Sequence, residues 1–267
     1  MDNYMKTNLD LWNEWTPIHE KSKSYKVEGF KSGRCTLHST ELEELGDVTG
    51  KSLLHLQCHF GMDTMSWARL GAKVTGVDFS DKAIALAKSL SKELQIEANF
   101  ICSNIYDLPK VLTGKFDIVF TSYGVLCWLP DICGWAKVIE HFLKPGGTFY
   151  IIEAHPFTNV FENESYTKEL KLHHTYFYST EPTRYEPDGS YADRIAKVVN
   201  PSYEWTHSLS DIINALISAG LKIEFVHEFP YANYDVFPFL EQGEDKKWRL
   251  KENREIIPLM FSLKATK

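Results

Sequence analysis

No run of eighteen apolar residues occurs in this chain of 267, which excludes a membrane-spanning helix as an expectation. A basic block is missing too. Lys and Arg number 29 against 36 Asp and Glu, for a net charge of −7, and duplex or structured nucleic acid would want a basic face. The five cysteines, Cys35, Cys58, Cys102, Cys127 and Cys133, are odd in number and too scattered for a disulfide framework. The opening MDNYMKTNLD lacks the basic-then-apolar layout of a secretory leader, and there is no internal repeat. A cytoplasmic protein is expected, with no nucleic-acid or membrane partner. A small-molecule substrate, or a protein one, suits the charge better, and oligomeric state stays open.

Between residues 50 and 155, apolar strands and amphipathic helices alternate. The first strand spans 51–57 and leads to a helix from about Asp63 that Gly71 ends. KVTGVDF (73–79) is the second strand, with Ser80 placed to cap the helix DKAIALAKSLSKEL. NFICSN (99–104) and FDIVFTS (116–122) follow. The helix PDICGWAKVIEHFL stops at KPGG, and TFYIIEA begins a fifth strand at 148. Strands this apolar, separated by helices, predict a doubly wound α/β fold with a mostly parallel sheet covered on both faces. Further on, Ser208 and Asp211 form a capping box for a helix closed by Gly220. KIEFVHEF and IIPLMFSLKA then read as a β-hairpin across the charged stretch 241–255, which makes the last strand antiparallel.

Two regions fall outside the alternation. Residues 1–49 place Trp12, Trp15 and His19 at helical spacing, then Tyr25, then a short helix capped by Thr40 and Glu43. Residues 156–206 contain LHHTYFYSTEPTRYEPDGSYADR, rich in aromatic and histidine residues. Extensions on such sheets tend to cover the carboxyl ends of the strands. One domain is therefore expected: an N-terminal cap (1–49), a nucleotide-binding core (50–155), a substrate lid (156–206) in which His174 and Tyr176 face the substrate, and a C-terminal helix and hairpin (207–267).

Glycine is scarce where it is most informative. The turn after the first strand, HLQCHFGMDT (55–64), keeps Gly61 alone, with Gln57 and His59 at the earlier positions of a nucleotide-binding turn. Side chains there would obstruct a pyrophosphate, which argues against NAD. Asp78 ends the second strand, where a carboxylate accepts both hydroxyls of a ribose, and is expected to face solvent in the crevice. S-adenosylmethionine has a ribose but no phosphate, so it tolerates this turn. The alternative for the same stretch is a metal site on His55, Cys58 and His59. Zinc wants three or four convergent ligands, and these three do not share a face, so no metal is expected.

Taken together, LLHLQCHFG, VTGVDFS, SNIYDLP, FDIVFTSYGVLCWLPD and LKPGGTFYIIEA resemble, in order and spacing, the five motifs of class I S-adenosylmethionine-dependent methyltransferases. The first is similar to a bacterial subgroup acting on small molecules whose motif reads LHLQC. This resemblance implies a seven-stranded Rossmann-like sheet. It implies that Asp78 holds the ribose, that Phe79 and Ile105 pack on adenine, and that Asn104 accepts the adenine amino group. Gln57, His59 and Gly61 would line the methionine part, and Tyr123 would border the reacting methyl. His55 stands where the family has an acidic residue, which leaves open how the donor's amino group is held: Asp63 or Thr64, at a helix N-terminus, would serve it, and helix capping explains either residue equally well. Glu153 and His155, toward the carboxyl end of the fifth strand, are candidate general bases if the acceptor must lose a proton. The competing readings are a non-enzymatic sensor of the same ligand and an NAD-dependent oxidoreductase.

Overall fold

Three helices precede the sheet: α1 (Asn3–Lys21), α2 (Val27–Lys31) and α3 (Ser39–Leu45). The alternation then runs β1 (Ser52–Leu56), α4 (Met62–Arg69), β2 (Lys73–Asp78), α5 (Asp81–Glu93), β3 (Ala98–Cys102), α6 (Leu108–Val111), β4 (Phe116–Ser122), α7 (Ile132–Phe142) and β5 (Leu143–Ala154). Two short strands, β6 (Thr183–Tyr185) and β7 (Ser202–Glu204), pair within the insertion. After them come α8 (Leu209–Ser218), β8 (Lys222–Phe229), β9 (Leu240–Gln242), β10 (Trp248–Leu250) and β11 (Met260–Thr266). The computed structural model describes residues 2–163 and 167–267, so residues 164–166 of the expected lid lie outside the described residues.

The main sheet has seven strands in the order β3-β2-β1-β4-β5-β11-β8. The first five are parallel, and β11 runs antiparallel to both its neighbours. Alternate residues of the central strands feed two layers, as the period of two demands. Leu54, Leu56, Val119, Phe149 and Ile151 pack with Trp135, Ile139 and Phe142 of α7 and Ile212 and Leu216 of α8. On the other face, Leu53, Val74, Ile118, Phe120 and Tyr150 pack with Trp67 of α4 and with Leu37 and Val48. Ser80 caps α5 by accepting from Ala83 N–H, and Ser208 with Asp211 forms the capping box of α8.

Several boundaries differ from the sequence reading. α3 is capped at His38, whose N–H donates to Glu41 Oε1 at 2.8 Å, rather than by Thr40 and Glu43. Glu41 lies three residues into the box, where its side chain reaches back to the cap. β5 begins at Leu143, not 148, because the KPGG stretch is absorbed as an irregularity in its pairing with β4. The connection from β8 to β11 is no simple hairpin: it carries its own β9–β10 ladder and a satellite core around Phe161, Phe237 and Leu259.

Close backbone approach fixes the β1–α4 turn. Gly61 has φ +75°, and a Cβ there would lie 2.4 Å from Cε1 of Phe100, a ring only 3% exposed. We expect Gly61→Ala to cost about 2–3 kcal/mol through combined overpacking and left-handed strain. Gly124→Ala, also left-handed but with nothing within 4 Å of its Cβ position, should cost about 1 kcal/mol. Urea unfolding of the two variants measures both values.

Candidate active site

Strand order reverses between β1 and β4, so a crevice opens where their carboxyl ends diverge. After β1 the chain turns through three left-handed residues, Gln57 (φ 57°), His59 (φ 51°) and Gly61 (φ 75°). Non-glycine residues in this region are uncommon and persist only where the surroundings hold them. The surroundings are identifiable. Cys58 N–H donates to Val77 O at 2.9 Å, and Gly61 N–H to Cys58 O at 2.9 Å. His59 N–H donates to Asp78 Oδ2 at 2.8 Å.

Asp78 also accepts from Ser80 N–H through Oδ1 at 2.9 Å. The carboxylate is 7% exposed rather than solvent-facing, which corrects the sequence expectation. Burial pushes its pKa up to about 6, against the pull of the Ser80, His59 and Phe79 backbone N–H groups. Two buried polar atoms of the adjoining turn, Gln57 Oε1 and His59 Nδ1, have no partner among the described residues.

A second polar group occupies the β1–β4 side. His55, 2% exposed, has Nδ1 at 2.8 Å from Thr64 Oγ1 and Nε2 at 3.3 Å from Ser122 Oγ. Ser122 Oγ donates to Asp63 Oδ2 at 3.3 Å. Burial lowers the His55 pKa to about 4, so its ring is neutral at pH 7. Beside it, Tyr123 is left-handed (φ 40°), donates to Glu41 Oε2 at 3.1 Å and accepts from Asn233 Nδ2 at 2.7 Å. Glu41 is fully buried, which raises its pKa to about 8.

The two candidate bases are engaged otherwise. Glu153 accepts backbone N–H groups from Gly124, Val125, Leu126 and Ala154. Its carboxylate thus fills the nest made by the turn after β4 and holds Tyr123 in place. His155 Nδ1 accepts from Phe157 N–H at 3.1 Å and caps the following 3₁₀ turn. Its Nε2 lies 2.9 Å from Glu228 Oε1 without the alignment of a hydrogen bond. Both side chains are structural at these positions.

His55, Cys58 and His59 point three ways. Cys58 packs with Phe60, Met65 and Phe100, while His59 Nε2 lies 2.9 Å from His19 Nδ1 of α1. From there His19 Nε2 reaches Ser190 Oγ of the insertion at 2.6 Å. The rings of Trp12, His19, Tyr25 and Phe60 all touch His59, and Trp12 and Trp15 meet Trp128. Asn13 of α1 grips the far side of the crevice, accepting from Ser80 Oγ at 2.6 Å.

The sequence candidates scatter more than expected. Asn104 Oδ1 caps the turn after β3 through Tyr106 N–H, and Ile105 joins the core beneath. Phe79 is half-buried next to Asp78. Tyr176 accepts from Leu209 N–H and packs on Phe157, while His174 meets His173 and Tyr185. Tyr176 therefore makes its contacts in the satellite layer and His174 within the insertion, neither of them at the β1 turn. Glu41, Ser122, Trp128 and Ser190 were missed. The Trp12–Trp15–His19 spacing was a usable sign, whereas nothing in an aperiodic insertion marks Ser190.

Residues 54–151 match the family described as "Methyltransferase domain". The chain is 35% identical over 136 residues to a demethylmenaquinone methyltransferase of Lactococcus lactis, covering 48% of this chain and 53% of that protein. It is 30% identical over 105 residues to a ubiquinone biosynthesis O-methyltransferase of Xanthomonas oryzae, covering 39% and 44%. The chain thus spans about half the length of the curated relatives it matches. An S-adenosylmethionine-dependent methyltransferase from Mesorhizobium loti shares the fold at TM-score 0.60 and 20% identity, over 89% of this chain and 100% of that one. The 3-2-1-4-5 parallel order with the antiparallel β11 is the fold of that solved methyltransferase, and residues 54–151, which hold the turn at Asp78, are the part of this chain that matches a methyltransferase domain.

Proposed function

We propose that the chain transfers a methyl group from S-adenosylmethionine to a small organic acceptor. One observation carries this reading: a buried carboxylate, Asp78, with no cation beside it among the described residues, held at the end of β2 by two backbone N–H groups, one of them from the turn after β1. Bound donor supplies a methyl group already activated on a sulfonium, so the protein's task is alignment. Asp78 accepts the ribose hydroxyls. Phe79, Asn104 and Ile105 border the adenine. Gln57 and His59, whose Oε1 and Nδ1 have no partner among the described residues, line the methionine part of the donor in this reading. Glu153 and His155 are given no proton-transfer role, because their lone pairs are committed to the backbone.

For the acceptor, α1 and the turn after β4 supply flat apolar walls in Trp12, Trp15 and Trp128. Such walls suit an aromatic compound. The names of the relatives make hydroxylated quinone precursors the first acceptors to try, with methyl-labelled donor. A cytoplasmic location accords with this chemistry.

Calorimetric titration with S-adenosylhomocysteine, and with NAD as the competing ligand, tests the reading: only the former should bind. Asp78→Asn keeps the shape but loses the charge, and hydrogen bonds to a charged acceptor are worth about 1.5–3 kcal/mol each. The variant should lose about 3 kcal/mol, roughly a hundredfold in Kd. Alanine is the poorer choice, since it strands two buried N–H donors.

A pH dependence follows from the same carboxylate. Its folded pKa is raised to about 6, so the free protein favours the protonated acid below that value. Ribose hydroxyls favour the ionised form, so binding must release a proton there. Affinity for S-adenosylhomocysteine should therefore hold above pH 6 and fall, by up to about tenfold per pH unit, below it. In Asp78→Asn this decline should vanish, and titrations between pH 4.5 and 8 compare the two.

A further inference from the structure

We infer that Glu204, in the insertion, is the base that takes the proton from a hydroxyl group of the acceptor. The inference rests on the methyl-donor reading above and extends it from donor to acceptor. Methylating an un-ionised phenol requires a proton to leave, and a positioned base supplies that step. Glu153 and His155 are occupied by the backbone, so the base has to come from elsewhere.

Glu204 ends β7, where the insertion meets α1 and the turn after β4, the two segments that wall the acceptor space. Trp205 N–H donates to Cys127 O at 2.8 Å, which fastens β7 to that turn. Trp128, the next residue of the turn, meets Trp12 and Trp15 of α1. From α1, Asn8 clamps the backbone of Tyr203, donating to its carbonyl at 2.7 Å and accepting from its N–H at 2.9 Å. Strand alternation then sets the side chains. Tyr203 and Trp205 both turn to Tyr4, at 4.8 and 6.2 Å between ring centroids. Ser202 and Glu204 therefore share the opposite face. Cys127 registers the carboxylate there: burial pushes its thiol well above the usual range, and Glu204 and then Glu153 add to it.

What holds this carboxylate sets it apart from the structural ones. Glu14 accepts three N–H groups, from Val199, Asn200 and the Asn200 side chain. Glu153 accepts four. Glu204 receives one neutral hydroxyl, that of Ser202, at 2.9 Å from Oε1. Its Oε2 has no partner among the described residues, and no cation there offsets the charge. A crowded carboxylate this poorly compensated destabilises the fold. Burial raises its pKa against the pull of the Ser202 hydroxyl, toward the range that suits a base near neutrality. The residue is only half-buried, so a bound molecule can reach Oε2. The acceptor hydroxyl gives its proton to Oε2 as its oxygen bonds to the methyl carbon. The carbon–sulfur electron pair returns to sulfur, leaving S-adenosylhomocysteine, a methyl ether and a protonated Glu204 that loses its proton to solvent.

The test compares two acceptors on Glu204→Gln with methyl-labelled donor. Catechol must lose a proton to react; 4-nitrocatechol is already ionised near neutrality and needs no base. The substitution should lower kcat on catechol by about a hundredfold or more while leaving 4-nitrocatechol within about threefold. Affinity for S-adenosylhomocysteine, measured by calorimetry, should stay within about twofold. Equal loss on both diphenols, or none on catechol, overturns the assignment. Should the amide fold poorly, Glu204→Asp, which draws the carboxylate back by one methylene, is read by the same selectivity. An unsubstituted chain that binds S-adenosylhomocysteine but methylates neither diphenol also overturns it and leaves the donor reading standing. A chain that does not bind S-adenosylhomocysteine fails both.

Discussion

The hydrogen bond from His59 N–H to Asp78 joins the end of β1 to the end of β2, and the rest of the crevice is arranged around it. It holds His59 in a left-handed conformation that its side chain would otherwise resist. In doing so it aims the imidazole at α1, where His19 takes it up and passes the connection to Ser190. The bond is possible because two glycines let the strands close up beneath it. A Cβ on Gly76 would stand 2.8 Å from Phe100 and 2.9 Å from Cys58 Sγ, so only a bare backbone admits both. The core packing and the polar geometry above it are one constraint.

Four buried or half-buried acids crowd the carboxyl end of the sheet, and the structure separates them by what donates to them. Glu153 is consumed by the turn it supports, and Glu41 by the α3 cap and Tyr123. Asp78 retains lone pairs beside its two backbone donors, and Asp63 has one weakly engaged oxygen. Residue type and strand-end position made Glu153 look like a base. Hydrogen-bond capacity, which sequence does not express, makes it a brace.

Most of the fold was legible, for physical reasons. Strands buried on both faces read as continuous apolar runs, and the caps at Ser80 and Ser208 are local chemistry visible within four residues. Asp78 was legible because its place follows from strand–turn–helix spacing, although its burial was not, since the cover comes from distant segments. Where contacts span great sequence distances the reading failed: His19 meets Ser190, Asn8 pairs with the backbone of Tyr203, and Tyr123 meets Asn233. Tyr176 and His174 were selected on composition, which says that a segment is aromatic but not which layer each ring enters.

The wedge position of β11 has a consequence for how the chain assembles as it is synthesised. β1 to β5 can pair in the order they emerge, each finding a partner made earlier. By contrast, β8 pairs with β11 alone among the described strands, and β11 is made some thirty residues later, after the β9–β10 excursion. Until then the edge of β5 stands open with its apolar face, and such an edge is a template for pairing with other chains. A nascent chain stalled before residue 260 is therefore an aggregation hazard even though all the strands around the crevice have been made, and chaperone demand should concentrate in that last interval of synthesis.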